Sequence, residues 1–129
     1  MVGSQPKLHQ RPNPILAINR LHARLKQWKR ADRALGKLRK SCPDFGCEST
    51  LLKAVAINSL YGTNVLAIYR VADHVYKVLK QANLATAGPR LVEKIASVPM
   101  GGNETKQIRR HSFAAKFAHF FIDSERFPI

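Results

Sequence analysis

Lys106, Arg109, Arg110 and His111 form a compact basic cluster just ahead of an aromatic run, Phe113, Phe117, Phe120 and Phe121. Donors gathered at a helix entry suit phosphate oxygens, contacts that position a protein without reading base sequence. The plainer alternative is a solvated basic turn. Upstream, Val98-Pro99-Met100-Gly101-Gly102-Asn103-Glu104-Thr105-Lys106 lacks the Gly-x4-Gly-Lys-Ser/Thr spacing of a phosphate loop and reads as a loop between helices. Cys42 and Cys47 have four residues between them and no second cysteine pair; His111 and His119 are eight apart, not a ligand-pair spacing on a helix. A zinc site needs four ligands, so no metal and no cofactor are expected, and the cysteines read as reduced thiols. His119, set among phenylalanines, reads as a hydrogen-bonded core histidine, and no catalytic residue is assigned.

Charge narrows the class of partner. In 129 residues, 22 Lys and Arg stand against 8 Asp and Glu, a formal net charge of +14. At 45% hydrophobic and 23% charged the chain is too apolar for a disordered polycation, and its length suits one modest core. No apolar run reaches a membrane span, and the start has no signal-peptide pattern, so a cytoplasmic protein is expected. Residues 1–46 hold 11 basic and 2 acidic side chains; residues 47–129 hold 11 and 6. Such a field attracts phosphate backbones and anionic surfaces.

The elements that must position these residues read as helices. Residues 1–14, with Pro6, Pro12 and Pro14, read as a flexible basic arm, and residues 15–129 as a single helical domain. From Ile15, the residues Ile18, Leu21, Leu25, Trp28, Leu35 and Leu38 recur at helical spacing, with cations on the remaining faces. Asn13-Pro14 is a fitting start and Pro43 a stop, and Trp28 is expected to pack with Leu21, Leu25 and Leu35. A second helix is predicted over about 48–60, with Leu51, Leu52, Val55, Ala56 and Ser59 as its face and Gly62 beyond its end. A third should begin at Asn64, capped by Thr63 or Asn64, with a stripe of Val65, Ile68, Tyr69, Ala72, Val75, Tyr76 and Leu79. A short fourth follows Gly88-Pro89, and a fifth spans about 112–122. No stretch alternates with period two, so the fold class is all-α with about five helices. The second and third helices also draw a helix–turn–helix outline, which is a common helix pairing besides being a DNA-binding shape.

The segment Leu51-Leu52-Lys53-Ala54-Val55-Ala56-Ile57-Asn58-Ser59-Leu60-Tyr61-Gly62-Thr63-Asn64 resembles part of the helix-hairpin-helix base-excision DNA glycosylases. In that family an apolar helix ends in a polar, DNA-facing turn before another helix starts. Asn58-Ser59 and Thr63-Asn64 fall on that turn. Later, Ser112 to Phe121 and then Phe127-Pro128-Ile129 resemble the approach to the family's catalytic Asp. The resemblance covers about 80 residues from Cys47 onward. It departs from the family where Glu104 takes the hairpin's lysine position, in having no four-cysteine cluster, and in placing the expected Asp beyond Ile129; Asp123 stands at a helix end instead. The implied protein is truncated before that Asp and lacks turnover, because a carboxylate must stabilise the cationic sugar of base excision.

The sequence reading is therefore a nucleic-acid-binding helical domain that holds double-stranded DNA by non-specific phosphate contacts. Its candidate binding residues are Asn58, Tyr61, Thr63, Asn64, Lys106, Arg109, Arg110 and His111. The alternatives are a helix–turn–helix transcriptional regulator, or a basic interaction module whose 15–40 helix meets an acidic protein partner or an anionic membrane.

Overall fold

The computed structural model describes the backbone of residues 13–100 and 103–129 and the side chains of 13–99 and 107–129. The fold is all-α apart from one small hairpin. Helices α1 (Pro14–Ser41), α2 (Cys47–Tyr61), α3 (Ile68–Gln81) and α4 (Pro89–Ala96) lead into strands β1 (Ser97–Met100) and β2 (Asn103–Arg109). Helix α5 (His111–Phe117) then runs on into a π-helical turn, Ala118–Ile122. The expected arm falls almost wholly on residues 1–12, outside the described residues. The chain divides into two compact units, Met1–Ala31 and Asp32–Ile129, with the boundary inside α1.

In the first unit α1 starts as its sequence dictates: the Asn13 side chain accepts the Ile15 N–H at 2.9 Å, and Pro14 occupies the first helical position, where its missing N–H costs nothing. The expected packing of Trp28 is not found. Trp28, Leu21 and Leu25 are 49%, 51% and 40% exposed, and only Leu35, beyond the unit boundary, is buried. The described part of the first unit is one helix, and one helix cannot cover its own stripe.

The second unit holds the core. Leu35, Ala54, Ile57, Val75, Ile95, Phe113 and Phe117 are fully enclosed. Helix α2 packs on α3 and α5, and α4 on α3 and α5. On α2 the buried face is Thr50, Lys53, Ala54 and Ile57, rotated from the expected one, while Leu52 and Val55 stay exposed. Lys53 explains the rotation. Its ammonium donates to the Asp44 carbonyl at 2.6 Å and lies 4.0 Å above the Phe45 ring, so its stem seals the loop that ends α1. Burial pushes the Lys53 pKa down, with Asp44 opposing. The carboxylate of Asp44 accepts the Gly46 N–H and the Ser49 hydroxyl, which holds its pKa below the ordinary 3.8.

Helix α3 starts at Ile68, four residues later than expected, after Gly62 and Asn64 in left-handed backbone (φ 56° and 58°). Its cap is Ala67 rather than Thr63 or Asn64, and Tyr69 on its expected stripe is exposed. The segment expected as loop is a hairpin: β1 and β2 pair antiparallel, Ser97 opposite Arg109 and Val98 opposite Ile108, with a register shift between Pro99 and Met100. Val98 is buried, so this single apolar cross-strand step anchors the sheet. The last helix also departs from a uniform α-helix. Asp123 N–H reaches back five residues to the Ala118 carbonyl at 3.0 Å, and with this wider turn Phe121 meets Phe117 edge-on while Phe120 stacks on Tyr61, centroids 5.4 and 5.3 Å apart. Beyond it Phe127 is buried, and the Arg126 guanidinium donates to the Leu84 and Ala87 carbonyls.

Candidate nucleic-acid interface

The predicted site residues fall into a closed turn and an open basic edge. At the turn, Asn58 on the last stretch of α2 is fully engaged within the chain. Its amide donates to the Val65 carbonyl, and its Oδ1 accepts both the Val65 N–H and the Thr63 hydroxyl, each at 2.9 Å. This clamp closes the turn across seven residues and keeps Asn58 and Thr63 half-buried. Their polar atoms satisfy a backbone that the core would otherwise leave unpaired. Asn64, at the tip, is exposed.

Tyr61 is half-buried, its hydroxyl donating to the Asp32 carboxylate of α1. Burial and that carboxylate both raise its pKa, so it stays a neutral donor. Lys116 lies 5.9 Å from the Tyr61 ring and donates to Ser112 Oγ at 2.9 Å, so one lysine links the turn's tyrosine to the first turn of α5.

The basic edge begins where β2 ends. Arg109 stands 3.6 Å from the Glu93 carboxylate of α4, and His111 Nδ1 is 3.9 Å from the same group. All three are more than half exposed. Arg110 is half-buried and its N–H donates to the Ala96 carbonyl at 2.8 Å, fixing the strand-to-helix corner. Lys106 lies on β2; its side chain is outside the described residues. Beside this edge, α3, α4 and the hairpin enclose an open groove of about 430 Å³, lined by His74, Glu93, Lys94, Ser97 and Gln107. There His74 Nε2 donates to the Lys94 carbonyl at 2.7 Å. Local spacing marks none of Glu93, His74 and Asp32, whose partners Arg109, Lys94 and Tyr61 are 16, 20 and 29 residues away, nor the approach of Lys116 to the Tyr61 ring.

The second unit's share of α1 adds a cationic stripe that is not among the candidate DNA-binding residues. Arg33, Lys37 and Lys40, spaced four and three apart, lie on one face and are all exposed. Among the described residues the ion pairs are Lys77–Asp73, Arg109–Glu93 and Arg126–Asp123, with His111 Nδ1 also 3.9 Å from Glu93. None involves α1, whose 9 Lys and Arg stand with one acid, Asp32, that already accepts Tyr61.

Asp123 is committed elsewhere. Its carboxylate accepts the Arg126 and Glu125 N–H groups, which lowers its pKa, and meets the Arg126 guanidinium at 3.4 Å. His119 donates from Nδ1 to the Phe127 carbonyl at 2.9 Å. Cys42 and Cys47 are both free thiols, and among the described residues no three His, Cys, Asp or Glu side chains gather as metal ligands. No described helix is long and apolar enough to cross a membrane.

Fold and surface together define a basic, all-α domain with an open cationic edge and a small hairpin. The chain matches, over residues 15–125, the family described as HI_0787_N, an N-terminal domain, and belongs to it. Comparison with curated proteins and with solved structures gives no match.

Proposed function

We propose that this domain binds nucleic acid, holding double-stranded DNA through its phosphates as a helical scaffold akin to the DNA-gripping part of a helix-hairpin-helix glycosylase. The supporting observation is the uncompensated charge of α1 together with the exposed edge at Arg109 to His111. Each lysine or arginine that meets a phosphate releases a condensed counterion, so a surface with few internal ion pairs binds a polyanion with a salt-dependent gain. Arg33, Lys37 and Lys40 supply one row of contacts; Lys116, Arg109, Arg110 and His111 supply another. The Asn58 clamp has a positioning role: it sets the left-handed turn that presents Asn64. No catalytic group is assigned.

Titration of a fluorescently labelled duplex of about twenty base pairs, followed by anisotropy at low salt, tests this reading. Binding is expected, and tighter binding to an otherwise identical duplex carrying one abasic site supports the glycosylase-like form. Absence of binding at low salt refutes the function. A preference for one operator-like sequence moves the assignment to a helix–turn–helix regulator.

A further inference from the structure

The first half of α1 carries a surface that phosphate binding does not use. Ile18, Leu21, Leu25 and Trp28 follow one another at spacings of three, four and three, the a/d rhythm of a coiled-coil seam. All four are 40–52% exposed, which is far from the buried state these side chains favour. At 100° per residue the four span an arc of about 80°, and their length along the axis is about 15 Å. The positions bordering the seam are His22 and Lys29 on one side and Ala17 and Arg24 on the other, with Lys26 and Arg20 farther round and Arg30 opposite, all exposed.

We infer that this seam docks an amphipathic helix of another protein with leucine-like residues on its apolar stripe and Glu or Asp at the flanking positions. Charge complementarity selects that occupant. A second copy of this chain would set Arg24 and Lys29 against like charges in either orientation, which disfavours self-pairing. A lipid surface asks for a broad apolar face. Between residues 18 and 29 the seam is a strip of about 80° flanked by His22, Arg24 and Lys29, which fits a single partner helix. Exposed Ile15 and Leu16 carry apolar surface only at the helix start. Four seam positions bury little area, so micromolar rather than nanomolar affinity is expected.

Trp28 is the sole tryptophan, so its emission reports the seam directly. The full chain, free of DNA, is titrated with a designed 21-residue peptide carrying Leu at a and d and Glu at e and g. A blue shift that saturates at micromolar peptide is expected. The same peptide with Lys at e and g should give none, and Leu21→Ser with Leu25→Ser should weaken binding at least tenfold while circular dichroism stays unchanged. No shift with the acidic peptide, or an equal shift with the basic one, overturns the inference. So does a larger shift on phosphatidylserine-containing vesicles than on the peptide, which assigns the seam to membrane, or sedimentation of the free chain as a dimer, which assigns it to self-association. Duplex binding is measured separately, so failure here leaves the nucleic-acid reading intact.

Discussion

At the turn between α2 and α3 the polar side chains of Asn58 and Thr63 are spent inside the chain: Asn58 makes three hydrogen bonds to Thr63 and Val65, and Ser59 and Asn64 stay outside. At the end of β2 the side chains are longer and cationic, and the nearest carboxylate, Glu93, meets Arg109 and His111 at 3.6–3.9 Å without burying them. The difference follows from reach and chemistry. A short amide beside two left-handed residues finds backbone groups within one turn, while a guanidinium has no acceptor and stays hydrated until an anion arrives. The first region is architecture; the second is a surface still able to exchange its partners.

Removing the clamp should give the largest effect on folding. Asn58→Ala strands the N–H and carbonyl of buried Val65 and should cost about 2–3 kcal/mol, read as a lower urea midpoint at unchanged slope. The folded fraction should keep the wild-type salt dependence of DNA binding. A changed salt slope would move Asn58 from architecture to interface. At the open edge, Arg109→Ala with Arg110→Ala should weaken every duplex alike and lower the log–log salt slope by about two, with the thermal midpoint nearly unmoved because the Glu93 pair is exposed. Glu93→Gln sharpens the contrast in the other direction: it frees Arg109 and His111 and should tighten duplex binding a few-fold.

The smallest effect is a pH dependence. Asp44 and Asp123 have pKa values lowered by hydrogen bonds from Gly46 and Arg126, so the folded state holds fewer protons than the unfolded one near pH 4. Their contribution is present above the ordinary value of 3.8 and fades as pH falls through the lower folded values. Acid titration of Asp123→Asn by circular dichroism should show a shallower loss below pH 3.8 than wild type.

The helices were legible where one strong local signal sufficed: the Asn13-Pro14 start, the Pro43 stop, Gly62 past α2, and Gly88-Pro89 before α4. The hairpin was hidden because Pro99 interrupts its alternation and only Val98 and Ile108 form an apolar pair. Gly101-Gly102 between the strands was the available clue, a dipeptide common in two-residue hairpins. The buried face of α2 is not legible in the sequence because the helix carries little amphipathic contrast, and a lysine, Lys53, fills an inward position by reaching the Asp44 carbonyl. The candidate site was half legible. Residue type located the basic edge, but whether an asparagine faces out or in depends on Val65 arriving in left-handed company, which spacing does not reveal. Asp32 and Glu93, partners 29 and 16 residues away from Tyr61 and Arg109, lie beyond any local pattern.

The most direct test of phosphate binding compares the wild-type chain with the triple variant Arg33→Gln, Lys37→Gln, Lys40→Gln across several salt concentrations on one labelled duplex. A steep linear fall of log affinity with log salt is expected for the wild type. For the variant a slope shallower by about three and an affinity lower on the order of a hundredfold at about 0.1 M salt are expected. A flat wild-type response, or a variant with the wild-type slope, would contradict it.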